Sequence, residues 1–467
     1  MFEMKGNEAM SNNKELKLNN KRTLIIGAAF FSILMLWQVY NHYCPLLLEE
    51  LLKQKFAGKQ LTYIIGIIMA CDNILSIFML PLFGRLSDKT KTKYGKRMPY
   101  IVIGMVSAAI VFPFIPVMFM INNLVGTIIM MLAVLLIMNM YRNPAVALMP
   151  DVTPKPLRSK ANGLINFVGY LGAILAGGLA MILPFTKTIN ENKELFPYNV
   201  LIVFIVASVF MIAAVSLLIF KINENKILAE TKEDMELGEK YAETFEEIRE
   251  DKPLSKGDKK NIFILLLSVF FWFMSFNAIE TFNGLFCKDI LGSDGIGGTF
   301  TIILTVTSIL TFLGTLNWPN KHGRKKCVIF GLISIIFGFL GCTFYIAILG
   351  GFGAKSATPE AWPFFIFSAY CGFGWALINA NSYPMLMEVS SSKNVGTYTG
   401  RYYTFSMLAQ SITPVLVGLI MTFNAAGLKL LYVYSSITMI IAFIIFILFK
   451  ETRKPIKETK KGFEALE

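Results

Sequence analysis

The sequence predicts an all-α membrane protein whose twelve transmembrane helices form two pseudo-symmetric six-helix bundles. Its 467 residues are 55% hydrophobic and 16% charged, which is not the composition of a soluble globule. Twelve apolar runs approach or exceed the length of about 20 residues that a spanning helix needs. A long polar stretch divides these runs into six and six, and basic residues concentrate in alternate gaps between them.

The apolar runs define the domain organisation. They lie at 24–43, 63–83, 100–121, 124–148, 162–185, 200–220, 262–286, 297–316, 328–349, 362–386, 402–423 and 428–449. We expect an N-terminal bundle over 24–221 and a C-terminal bundle over 261–450. A cytoplasmic N-terminal segment (1–23) and a cytoplasmic tail (451–467) flank the bundles. The linker at 222–260 is predicted to form a charged surface helix, with disorder as the alternative.

Charge placement favours a membrane protein over a nucleic-acid-binding protein. The formal charge is +13, but the cations lie between the apolar runs, as the positive-inside rule requires. This predicts a multi-pass protein of the cell inner (plasma) membrane with both termini cytoplasmic, in contact with lipid and monomeric. The first outer loop, with Lys53, Lys55 and Lys59, departs from the rule. The six cysteines form no Cys-x-x-Cys pair, so we expect no metal site, disulfide framework or cofactor.

A short basic loop separates the second and third runs. It contains one acid, Asp88, and the glycines Gly84 and Gly95, followed by Lys96 and Arg97. A cluster that only sets topology would need neither the paired glycines nor the single acid. These five residues are therefore predicted to form a gating loop, with a purely topogenic role as the alternative.

Three charged residues fall inside apolar runs. Asp72, Arg142 and Glu280 would each cost about 2.5–3.5 kcal/mol in a bilayer on insertion scales, so they are functional candidates. We predict that Asp72 carries a coupling proton, with Arg142 as its counter-charge and Glu280 as the alternative proton site. A salt bridge that only joins helices is the competing interpretation. His42 is expected to be a polar residue of the outer end rather than a proton relay.

Amides and aromatic rings cluster in the first, seventh and tenth runs. A sugar presents many hydroxyls and an apolar ring face, which amide groups and flat aromatic rings suit. Interfacial belts and helix–helix contacts are the alternative. Trp375 and Asn379 lie one turn apart inside their run, which argues against a belt. The predicted substrate-binding residues are Trp37, Gln38, Asn41, Asn277, Glu280, Trp375 and Asn379.

The basic loop also resembles a family signature. Its spacing, Gly-x-Leu-Ser-Asp-basic and then Gly-basic-basic, resembles the loop between helices 2 and 3 of the major facilitator superfamily. The longer form at 88–100, with the stretches at 141–151, 158–163, 276–282 and 374–379, resembles the glycoside–pentoside–hexuronide:cation symporters, and within them the bacterial relatives of the plant sucrose–proton symporters. The resemblance implies the major facilitator fold and cation-driven uptake of a glycoside by alternating access.

The sequence departs from this branch at two places. Melibiose-type members carry two acids in the second helix that form a sodium site; alignment on Pro81 and Gly84 puts Ser76 and Leu80 there. A proton is therefore the expected coupling ion, with sodium as the alternative. Plant sucrose carriers have an arginine just after the proline of the fourth helix, where this chain has Val146.

The predicted function is import of a sugar by proton symport. The sugar is expected to be a di- or oligosaccharide glucoside such as sucrose or maltose. The alternatives are sodium-coupled sugar symport and transport of a lipid or other amphipathic molecule. An enzyme is not expected, because the sequence has only two histidines, far apart, and no nucleophile–base pattern.

Overall fold

The computed structural model describes residues 16–56, 61–186, 198–247, 255–315, 317–348, 361–389 and 395–450. The predicted tail and most of the predicted N-terminal segment lie outside this range. Within it, 12 helices are long and apolar enough to cross a membrane. The predicted all-α fold class with twelve spans is confirmed.

The N-terminal half contains the first six spans. They are α1 (Asn20–Lys55), α2 (Thr62–Lys89), α3 (Met98–Val111, continued as Phe114–Met120), α4 (Leu124–Asp151), α5 (Arg158–Ile182) and α6 (Tyr198–Lys221). The interruption of α3 falls at Pro113, which has no backbone N–H to continue the helical bonds. Asn19 and Asn123 cap α1 and α4 by accepting hydrogen bonds from backbone N–H groups of the first turn.

Two helices follow the sixth span within the predicted linker. They are α7 (Glu224–Glu230) and α8 (Lys232–Glu247). α8 lies against the turn between α4 and α5, where a Cβ on Gly238 would come within 2.9 Å of Pro154 Cβ. The linker helices therefore pack on the N-terminal half; residues 248–254 lie outside the described range.

The C-terminal half contains the last six spans. They are α9 (Lys256–Leu291), α10 (Asp294–Gly314), α11 (Arg324–Ile348), α12 (Trp362–Val389), α13 (Val395–Phe423) and α14 (Leu430–Ile447). A capping box between Ser255 and Asp258 begins α9, and Gly292 ends it with a φ of 82°. The left-handed conformation of Gly292 is one that glycine adopts without strain.

The two halves meet along three helix pairs. α2 packs on α13, α5 on α10 and α1 on α9. The first two crossings depend on glycine: a Cβ on Gly66 would lie 2.1 Å from the carbonyl oxygen of Pro414, and one on Gly298 would lie 2.7 Å from that of Gly177. Small residues allow the backbones to approach this closely.

The ends of the spans form two faces of different character. We call the end that carries the loop at 90–97 the basic face and the other end the opposite face. Among the described residues, every hydrogen bond and ion pair found between the two halves lies from the middle of the spans to the opposite face. The bonds that join the halves are therefore confined to the middle of the spans and the opposite face.

Candidate functional site

A pocket lies between the two halves, where α1 meets α9 and α10. Its polar lining comes from side chains of all three helices, and its apolar lining includes Phe276 and Phe300. The polar residues are Gln38, His42, Glu280, Asn283, Thr301 and Thr305. Concave sites with apolar walls and a few convergent polar groups are the usual form of small-molecule sites.

Glu280 joins the halves at this pocket. Asn41 of α1 donates a hydrogen bond to Glu280 Oε1 of α9 at 3.3 Å, and Asn277, one turn earlier on α9, interacts with the same carboxyl. The structure thus brings together four predicted substrate residues: Asn41, Asn277 and Glu280, with Gln38 beside them in the pocket lining.

Arg142 is a cation that interacts with both acids inside the spans. Its guanidinium carbon is 4.2 Å from the ring centroid of Trp37, and its charge interacts with both Asp72 and Glu280. Asp72 is 5% exposed, and its Oδ1 has no hydrogen-bond partner in the part of the chain that the structure describes. Arg142 therefore packs on an aromatic face, and its link to Asp72 is electrostatic rather than a hydrogen bond to that oxygen.

The pocket offers more acceptors than donors. The hydroxyls of Thr301 and Thr305 donate to carbonyls of their own helix, at 3.1 and 2.8 Å, so their oxygens face the pocket as acceptors. Asn283 Oδ1 accepts from the Tyr432 hydroxyl at 2.8 Å, which leaves the amide nitrogen as a donor. With the Glu280 carboxyl added, the arrangement suits a ligand that donates several hydrogen bonds.

Trp375 and Asn379 lie beside the pocket rather than in its lining. Trp375 stacks on Phe276 with ring centroids 3.8 Å apart and an interplanar angle of 10°, and Phe276 does line the pocket. Asn379 is exposed and donates to the Trp375 carbonyl at 2.9 Å. Trp375 therefore extends the aromatic surface that Phe276 presents to the pocket. Asn379 lies one turn further along α12, towards the basic face.

The predicted gating loop is organised by Arg97. Its side chain is buried, donates to Asp151 Oδ2 at 2.9 Å, and also contacts Asp88 and Ser87. Lys96 reaches the same Asp151 oxygen at 3.0 Å. All these partners belong to the N-terminal half, so in this structure the loop holds three spans of one half together.

Each of the two glycines of the loop lies where a side chain would collide with a different neighbour. A Cβ on Gly84 would lie 2.5 Å from Asn143 Nδ2, where α2 crosses α4. Gly95 has a φ of 111°, and a Cβ there would lie 2.2 Å from Glu224 Oε2. The second contact shows that the loop is shaped around a residue of the linker.

Glu224 is a structural residue of this loop that sequence reasoning missed. Its buried carboxyl accepts hydrogen bonds from the backbone N–H groups of Lys96, Arg97 and Met98 at 3.1, 2.9 and 3.0 Å. These are the free N–H groups where α3 begins, so Glu224 caps that helix from α7. More than 120 residues separate the partners, and no local pattern indicates the contact.

Ion pairs cross between the halves at the opposite face. Lys288 of α9 pairs with Glu49 of α1, and Lys53 pairs with Glu49 at 2.9 Å and with Asp289 at 3.8 Å. This contact between the halves accounts for Lys53, one of the three lysines of the first outer loop that depart from the positive-inside rule.

A second cross-half contact surrounds Asp294, at the start of α10. Its carboxyl accepts from the backbone N–H groups of Phe185 and Thr186 at 2.8 and 2.9 Å and from the Thr186 hydroxyl. His42 Nε2 lies 3.2 Å from Asp294 Oδ2. We call this set of bonds the Asp294 clasp. The sequence contains Asp294 only as an acid at a helix start, which by itself indicates a cap.

These features define a class of protein. Twelve spans in two halves, with a polar pocket between them, are the architecture of a multi-pass membrane transporter. A family sequence model described as MFS/sugar transport protein matches residues 61–458. The chain belongs to this family of the major facilitator superfamily and is a transporter rather than an enzyme.

Solved structures of other transporters share the fold. A bacterial homologue of the human lysosomal transporter Spinster, in an inward-facing and occupied conformation, superposes with a TM-score of 0.64 at 12% identity, over 93% of this chain and 97% of that one. A bacterial homologue of the iron transporter ferroportin, inward-facing, gives 0.62 at 14%, over 93% and 99%. The nucleoside transporter NupG gives 0.60 at 13%, over 93% and 100%. No curated protein matches this sequence.

Proposed function

We propose that this protein imports a sugar, a di- or oligosaccharide glucoside such as sucrose or maltose, by proton symport across the cell inner membrane. The observation that carries the proposal is the pocket between the halves, where acceptors predominate and where Glu280, one of the two acids that interact with Arg142, forms part of the lining. The family match to sugar transport proteins supports the same substrate class. In this proposal the chain is a member of the glycoside–pentoside–hexuronide:cation branch, and it acts as a monomer.

The chemistry of a sugar fits the pocket. Sugar hydroxyls would donate to the Glu280 carboxyl and to the threonine oxygens of α10, while the Gln38 amide would donate in return. The ring of Phe276, backed by Trp375, would cover the apolar face of one sugar ring. A lipid would leave these polar groups unpaired, which is costly in a buried site.

The coupling mechanism uses Asp72 as the proton site. Asp72 is buried inside a span, where a charge needs a role, and the positive charge of Arg142 acts on it. Protonation of Asp72 frees Arg142 to move from Trp37 towards the sugar hydroxyls. Proton and sugar then favour each other's binding reciprocally. Glu280, which Arg142 also influences, is the alternative proton site.

The direction of transport follows from the charge of the faces. If the basic face lies in the cytoplasm, as loop charge favours, both termini are cytoplasmic and this structure is the inward-open state. Sugar would then enter from the opposite face after the contacts around Asp294 and Lys288 separate.

Sodium coupling is the second candidate. Sodium needs several oxygen ligands, and Ser76, which stands where melibiose-type members have an acid, donates to Asn139 Oδ1 at 2.8 Å. That contact leaves the Ser76 oxygen free as an acceptor, but Leu80, at the second acid position of the melibiose-type members, supplies no oxygen ligand. A proton needs only the one carboxyl.

Uptake into proteoliposomes tests the proposal. Radiolabelled sucrose and maltose are expected to accumulate when an inward pH gradient is imposed and not when only a sodium gradient is imposed. Accumulation driven by sodium alone would replace the proton by sodium. Counterflow is the exchange of labelled external sugar for unlabelled sugar inside the vesicles. If no glucoside tested shows counterflow, the sugar assignment is wrong.

Variants of the two acids separate their roles. Asp72→Asn is expected to abolish pH-driven accumulation but to keep downhill sugar exchange, because the amide mimics a permanently protonated acid. Glu280→Gln is expected to accumulate sugar still, with weaker affinity. The reverse pattern would assign the proton to Glu280 and leave Asp72 as a structural partner.

A further inference from the structure

His42 touches both the pocket and the contact that closes the opposite face. Its ring lines the pocket, and its Nε2 lies 3.2 Å from Asp294 Oδ2. Through Asp294 it is one bond away from the backbone of Phe185 and Thr186. One imidazole therefore connects the site between the halves with the Asp294 clasp.

The hydrogen bonds determine what each ring nitrogen can do. The Asp294 carboxylate is an acceptor, so Nε2 of His42 carries the hydrogen of this bond. In the neutral ring Nδ1 is then an acceptor. A ligand hydroxyl is the complementary donor for Nδ1.

Two glycines leave the space that the ring occupies. A Cβ on Gly284 of α9 would lie 3.5 Å from His42 Nδ1, and one on Gly297 of α10 would lie 3.5 Å from Cε1. Gly284 also lines the pocket, so the absence of a side chain there leaves room beside Nδ1. On its other side the ring packs edge-on against Tyr43, with centroids 4.9 Å apart.

We propose that His42 is a positioning residue that transmits occupancy of the pocket to the Asp294 clasp. A sugar hydroxyl that donates to Nδ1 polarises the ring and strengthens the bond from Nε2 to Asp294, because linked hydrogen bonds reinforce one another. A loaded carrier thus holds its opposite face closed more firmly than an empty one. The inference rests on the proposed sugar function and deepens it by naming the residue that couples loading to closure.

Amide hydrogen exchange at Phe185 and Thr186 measures the clasp directly, because both N–H groups donate to Asp294. In the parent protein, saturating sucrose or maltose is expected to slow this exchange about two- to tenfold, the equilibrium factor of one hydrogen bond. Sugar counterflow is measured in parallel on the same preparations.

Two variants separate transmission from plain structure. Gly284→Ala places a methyl group 3.5 Å from Nδ1 and 3.0 Å from the His42 carbonyl oxygen, so exchange without sugar is expected to be faster than in the parent and the sugar response to disappear. His42→Phe keeps a ring between the two glycines without nitrogens; exchange is expected to be faster and insensitive to sugar. His42→Gln, which can donate and accept, is expected to recover part of the response.

A full sugar response in His42→Phe overturns the proposal, as does a parent that shows counterflow but no change in exchange at the clasp. The latter outcome leaves the sugar function standing. A parent without counterflow overturns the sugar function and this inference together. The Tyr63 amide, which donates to Thr422 Oγ1 across the halves at 3.0 Å, reports whether the opposite face moves elsewhere.

Discussion

The two faces of the protein use ion pairs in different ways. At the opposite face, Lys288 and Lys53 bind acids across the boundary between the halves. At the basic face, Arg97 binds Asp88 and Asp151 within the N-terminal half. One network holds the halves to each other, and the other holds one half together.

This difference indicates which contacts change during transport. Alternating access requires the cross-half pairs to break in each cycle, whereas the pairs within one half can persist as that half moves as a body. Substitutions at the opposite face should therefore shift the balance between the two open states. Substitutions at the basic face should mainly change the stability of one half.

The largest effect is expected at the glycine crossing of α2 and α13. Gly66→Ala puts a methyl group 2.1 Å from the Pro414 carbonyl oxygen, where the two halves are in contact. Overpacking of this kind costs about 1–3 kcal/mol, so closure and uptake should fall about 5- to 100-fold. Exchange of the Tyr63 amide measures the closure.

Gly178→Ala is the matched control for this variant, because a Cβ on Gly178 meets no atom within 4 Å. It should transport like the parent. Equal uptake by Gly66→Ala and Gly178→Ala would show that the crossing tolerates a side chain and would contradict the assignment.

A smaller effect is expected from the cross-half ion pairs. Lys288→Met leaves Glu49 with Lys53 as its remaining cation, so the full cost of about 3–5 kcal/mol for breaking a buried pair is reduced. We expect opening of the opposite face to increase about tenfold, measured by amide exchange at Phe185. Adding Glu49→Gln should restore part of the loss, since Lys53 then pairs with Asp289 alone rather than with two acids.

The control for this pair lies at the basic face. Lys226 pairs with Glu230 at 3.9 Å on the surface of α7, and both side chains are more than half exposed. Lys226→Met should leave exchange at Phe185 unchanged. A response equal to that of Lys288→Met would mean that net charge, rather than the cross-half pair, sets the balance.

The cap on α3 is expected to affect stability alone. Glu224→Ala leaves three backbone N–H groups without their partner, and loss of a helix cap costs about 1–2 kcal/mol. The midpoint of thermal unfolding should fall, while amide exchange at Phe185 stays at the parental rate. Glu230→Ala, on the exposed side of the same helix, should change neither; a shift in exchange at Phe185 would contradict the separation of the two faces.

The smallest effect is expected from Asp88. Its side chain is 58% exposed, and Arg97 keeps Asp151 when Asp88 is changed. Asp88→Asn should therefore slow turnover about two- to fivefold, the value of an exposed ion pair. Sugar affinity, measured by uptake at increasing sugar concentration, should not change. Unchanged turnover would return the loop to a purely topogenic role.

The sequence by itself determined the spans and the loop. A bilayer imposes about 20 apolar residues for each helix, so composition and run length predict twelve helices without tertiary information. The buried charges Asp72, Arg142 and Glu280 were also predictable, because a charge inside a span is expensive enough to need a role. The structure places Arg142 in electrostatic contact with both acids, and that grouping was predicted only for Asp72.

Only the tertiary structure decided which distant residues meet. Glu224 and the start of α3, Asp294 and the backbone at 185–186, and Lys288 and Glu49 are each separated by more than 100 residues. Acids at helix ends look alike in sequence, since most of them are solvated or cap their own helix. Whether such an acid binds across the boundary between two halves depends on how the bundles are placed against each other, and that placement is set by packing at crossings such as the one between Gly66 and Pro414.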